Sequence, residues 1–82
     1  MNNTEINILV DSFPEYYMFR GKQKTLTDNH KDALAFCIFL MDTGWGLYTA
    51  TNKAGDQYNV SVRLLRNILK NNITATSNKT GI

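Results

Sequence analysis

An 82-residue chain with 43% apolar side chains can build one small hydrophobic core, which argues against both global disorder and a second domain. Its net charge of +2 is too mild for indiscriminate binding to polyanions, and the single cysteine, Cys37, offers no disulfide framework. One thiol and no recognisable secretory leader predict a reducing, cytoplasmic setting, and the longest apolar run, residues 33–41, reaches only about half a membrane span.

Residues 4–13 place Ile6, Leu9, Val10 and Phe13 at i, i+3, i+4 and i+7, the spacing of an amphipathic helix opened by Asn3 or Thr4. Pro14 ends it or begins a new turn capped by Ser12, because proline lacks the amide proton that a helix interior needs. Tyr16, Tyr17, Met18 and Phe19 then form a largely aromatic cluster before a polar connection, residues 20–24. These rings read as cover for the small core or as a partner-binding patch made of Tyr16, Tyr17, Phe19 and the distant Trp45, since such residues anchor interfaces.

Thr27 is expected to cap the longest helix, with Leu26 as a hydrophobic staple and Asp28 at the positive end of the dipole. That helix runs to Asp42, and its apolar residues 33–41 point in every direction. It must therefore be surrounded, either by other helices of the domain or by a second subunit. Thr43 and Gly44 end it. A helix over residues 47–54 follows, closed by Gly55, with Ala50 and Ala54 small enough to admit a neighbouring helix closely. Residues 56–59 form a turn, Asn59 can cap, and the last helix spans residues 60 to about 71. A hairpin over residues 48–62 competes, because residues 58–62 alternate polar and apolar, yet the spacing of residues 64–69 favours helices. Residues 72–82 are small and polar, a frayed tail in this reading.

Charge is unevenly spread. Residues 1–32 carry four basic and five acidic side chains, and residues 33–82 carry five basic and two acidic. At about 100° per residue, Val60, Leu64, Ile68, Leu65, Leu69 and Val62 fill an arc of about 200° on the last helix. Arg63, Arg66, Asn67 and Lys70 fill the remainder with no acid among them. Such a face suits a DNA groove, because arginine reads guanine edges and both Arg and Lys grip phosphates. A plain solvated face is the alternative.

Over residues 44–70 the chain resembles the helix-turn-helix of phage regulators, transposase-type modules and terminase small subunits. The resemblance is carried by a short glycine-started helix with Ala50 and the ending Lys53-Ala54-Gly55, then a turn, Val60-Ser61, Arg63, Arg66, and the ending Ile68-Leu69-Lys70-Asn71. The turn at 56–59 is longer than in those motifs and carries Asp56. The resemblance implies phosphate near Asn59 and Ser61 at the helix start, base edges near Arg63 and Asn67, and backbone contacts from Lys53, Arg66 and Lys70. In size and in its ten Asn and nine Thr residues the chain is also similar to small accessory proteins of T-even phages, a group that includes a cytoplasmic lysis-inhibition antiholin.

No catalytic set is visible. His30 lies seven residues from Cys37, the acids follow no repeating spacing, and Gly44-Trp45-Gly46 lacks the lysine and length of a phosphate loop. No metal and no cofactor are expected. The sequence therefore predicts a mainly α, single-domain bundle of four to five short helices (residues 1–71, tail 72–82) containing a helix-turn-helix-like unit. Its expected partner is duplex DNA, bound by a phage-type regulator acting as a dimer. The alternative is a host or phage protein, bound by an inhibitor such as an antiholin or anti-defence factor in the host cytoplasm.

Overall fold

Asn2, in extended backbone, opens α1 (Asn3–Asp11): its side chain accepts the Glu5 amide while the Glu5 carboxylate accepts the Asn2 amide. This computed structural model describes residues 2–74. The helix is capped one or two residues earlier than expected and stops before Phe13. Ile6, Val10 and Phe13 of the anticipated apolar stripe are buried, and Leu9 packs beside them.

The segment expected to be an aromatic cluster and polar connection is instead an antiparallel hairpin, β1 (Tyr16–Phe19) paired with β2 (Lys22–Thr25). Arg20 and Gly21 both have positive φ, 53° and 76°, which makes a two-residue turn whose twist matches paired strands. The residue ahead of Gly21 is arginine rather than the asparagine or aspartate that usually announces such a turn.

Thr27 caps α2 (Asp28–Asp42) as expected: its hydroxyl accepts the His30 amide, and Leu26 is buried beside it. The Thr27 amide in turn donates to His30 Nδ1. α2 packs against α1, α3 and α4, which bury Ala33, Leu34, Cys37, Ile38 and Leu40. The surround that this all-round apolar helix requires is therefore largely supplied by its own chain, with Phe39 left 47% exposed.

α3 (Leu47–Tyr58) is one turn longer than expected, and Gly55 lies inside it. A Cβ at Gly55 would collide with Val62 Cγ2 and sit 3.0 Å from the Val60 carbonyl oxygen, so the glycine is there for close approach rather than for stopping the helix. Termination falls to Asn59, whose left-handed backbone (φ 54°, ψ 50°) lets its amide reach the Gly55 carbonyl. The connection shrinks to residues 59–61, and Asp56 belongs to the last turn of α3 instead of to a loop.

Ser61, not Asn59, caps α4 (Val62–Leu69), its Oγ accepting the Leu64 amide at 3.3 Å. α4 is shorter than the expected 60–71 and passes into a π-helical turn, Lys70–Thr74. Leu65 and Leu69 are fully buried and Ile68 nearly so, each contributing about 1.5–3 kcal/mol by leaving water. Residues 48–58 are thus helical, residues 59–61 form the connection to α4, and the competing hairpin over 48–62 does not form. Of the expected tail, residues 72–74 complete the π turn and residues 75–82 lie outside those described. The whole is mainly α, and no helix among the described residues is long and apolar enough to cross a membrane.

Candidate functional site

Burial of Leu65, Ile68 and Leu69 fixes the roll of α4 and turns Arg63, Asn67 and Lys70 to solvent. Arg66 goes elsewhere. Its Nε donates to Thr51 Oγ1 at 2.9 Å, its Nη2 to Asn52 Oδ1 at 2.9 Å, and its guanidinium carbon lies 4.6 Å from the centre of the Tyr48 ring. Thr51 is fully buried on α3, and its hydroxyl donates to the carbonyls of Leu47 and Tyr48. Arg66 therefore clamps α4 to α3, a correction to the open cationic stripe expected of it. Lys70 also turns toward Tyr48, its Nζ 3.3 Å from the phenol oxygen and 5.3 Å from the ring centre.

Arg63 and Asn67 face the hairpin. With Ser61 and Leu64 they line one side of a recess of about 310 Å³; Tyr17, Met18, Phe19 and Lys24 line the other, and His30 completes it. No acidic side chain is among them. Strand register explains the cations: Lys24 lies opposite Tyr17 and Lys22 opposite Phe19, so both lysines share the face of those rings. Arg20 adds a guanidinium 5.3 Å from the Phe19 ring centre. The Tyr17 ring meets His30 edge-on at 5.8 Å, which braces it against the start of α2.

A second recess of about 380 Å³ shares Tyr17, Met18, Leu64 and Asn67, and extends to Tyr16, Ile68, Asn71 and Asn72 without any charged side chain. The two adjoin across those four shared residues, and together we call them the trough between the hairpin and α4, cationic at one end and rich in amides at the other. Acids collect on a different part of the surface, where Asp11, Asp28 and Asp32 line a shallow recess between α1 and α2.

The structure thus brings together candidates that the sequence kept apart: Tyr16, Tyr17 and Phe19, expected to bind a partner, meet Ser61, Arg63 and Asn67, expected to contact nucleic acid. Lys53, Asn59 and Trp45 do not line the trough. Lys53 lies over the Trp45 ring at 5.0 Å, and Asn59 ends α3. Sequence reasoning missed Arg20, Lys22 and Lys24, because it assigned them to a loop; Gly21 between two segments of strand-forming length was the available signal.

Guanidinium and ammonium donors suit phosphate, amides suit base edges, and aromatic rings suit stacking. The thiol of Cys37 is buried in the core, which pushes its pKa up to about 12, so it stays neutral and unreactive. Comparisons with protein-family models, with curated proteins and with solved structures each found no match to this chain.

Proposed function

We propose that this chain is a small non-catalytic DNA-binding protein, a regulator of the phage type, that holds its ligand between α4 and the hairpin. One observation carries the proposal: aromatic, amide and cationic side chains from two separate elements converge on a trough whose lining, among the described residues, contains no carboxylate. A ridge of solvated charge would need neither the rings nor the concavity. In this reading α3 and α4, joined by the short connection at 59–61, form a helix-turn-helix-like unit whose second helix supplies one wall of the trough. Arg63 and Lys24 grip phosphate, and Asn67 lies along the bases. The protein works in the cytoplasm, that of the host if it is viral.

The test is electrophoretic mobility with random-sequence DNA supplied both as duplex and as single strands. Arg63→Ala combined with Lys24→Ala is expected to weaken retention strongly while leaving the helical circular dichroism intact. Unchanged retention would refute the proposal. The rival reading, a protein-binding inhibitor, draws on the exposure of Tyr16, Phe19 and Trp45 (53%, 52% and 48%). It gains if the double variant binds DNA normally while Trp45→Ala abolishes capture of one identified protein partner.

A further inference from the structure

We infer that the trough accepts single-stranded nucleic acid, with at least one unstacked base lying against the hairpin's aromatic face; this rests on the nucleic-acid reading above and specifies the form of the ligand. A helix that reads a duplex must stand proud of its surroundings so that base edges deep in the major groove come within reach. α4 is not placed that way. Its outward residues Arg63 and Asn67 form one wall of a recess, and the hairpin's Met18 and Phe19 form the other. A recess of about 310 Å³ admits a nucleotide and excludes a double helix.

The chemistry within it is graded along its length. At one end Arg63 and Lys24 supply the charge that follows a phosphodiester backbone, with Lys22 on the same hairpin face. At the other, Tyr16 and the amides of Asn67 and Asn71 make an uncharged compartment. Exposed base edges seek amides, and exposed base faces seek rings, as on the aromatic platforms of proteins that hold single strands. A duplex hides both behind pairing and stacking. An acidic peptide would satisfy the cationic end but leave the uncharged end without a matching group.

Fluorescence anisotropy of the full chain distinguishes the cases, using a labelled 12-nucleotide strand of mixed sequence and the corresponding 12-base-pair duplex. The single strand is expected to bind at least about tenfold more tightly, the order of one stacked base. Phe19→Leu should lower its affinity by about tenfold, and Phe19→Tyr should restore it, because leucine keeps the apolar bulk and loses the stacking face. Phe19 is half-exposed, so both variants keep the core. Equal or tighter binding to the duplex, or equal affinities for the leucine and tyrosine variants, would overturn this inference while leaving DNA binding standing. Binding to neither oligonucleotide would overturn both.

Discussion

Arg63 and Arg66 are three residues apart on one helix, yet their replacement should have opposite consequences. Arg66 makes two hydrogen bonds of 2.9 Å, to the buried Thr51 hydroxyl and to Asn52, and lies 4.6 Å from the Tyr48 ring centre. Hydrogen bonds of this kind contribute about 1 kcal/mol each net, and a partly exposed cation–ring contact about 0.5–1 kcal/mol. Arg66→Ala should therefore cost about 2–3 kcal/mol, which in a domain of this size lowers Tm by about 10–20 °C. Arg66→Lys should recover little, because an ammonium cannot span Thr51 and Asn52 as the planar fork does. Arg63 is exposed and has no such partners among the described residues, so Arg63→Ala should change stability by no more than about 0.5 kcal/mol while reducing DNA affinity. Thermal unfolding followed by circular dichroism measures both. Equal Tm values for Arg66→Ala and Arg63→Ala would refute the clamp.

Gly55→Ala should destabilise by up to about 2 kcal/mol in chemical unfolding: the overpacking against Val62 and the Val60 carbonyl outweighs the roughly 1 kcal/mol that alanine gains in a helix. A more stable Gly55→Ala protein would contradict the close α3–α4 approach. Cys37 should resist thiol reagents until the chain unfolds. With its folded pKa raised from 9.0 to about 12, the unfolded state alone ionises as pH rises past 9, so stability falls by up to about 1.4 kcal/mol per pH unit in that window. Cys37→Ala should flatten the slope, and an unchanged slope would place its origin elsewhere. Gly21→Val forces a branched side chain onto φ 76°, which should loosen the hairpin and weaken DNA binding while the helical signal persists.

The helices that depend on local chemistry were legible in the sequence. Thr27, Leu26 and Asp28 announce α2, and Ile6, Val10 and Phe13 announce the buried face of α1, because caps and 3.6-residue spacing act within one turn. What stayed hidden depends on long-range contact. Gly55 carries the mark of a terminator, but its missing Cβ serves Val62 seven residues later. Asn59 carries the mark of an N-cap, but the αL backbone that it tolerates lets it close α3. Arg66 is indistinguishable from Arg63 by spacing alone, and only Thr51 and Asn52 on the neighbouring helix separate them. The candidate site was half visible for the same reason: its α4 side follows from helical periodicity, whereas its hairpin side required pairing of two four-residue strands.

A ligand held between the hairpin and α4 must disturb both elements when it binds. Mapping amide chemical-shift changes as an oligonucleotide is titrated into the labelled protein tests this directly. Changes are expected to concentrate at residues 17–24 and 61–67 and to move together with one affinity. Changes centred on Trp45, Tyr48 and Lys53, with the hairpin silent, would contradict that placement of the ligand.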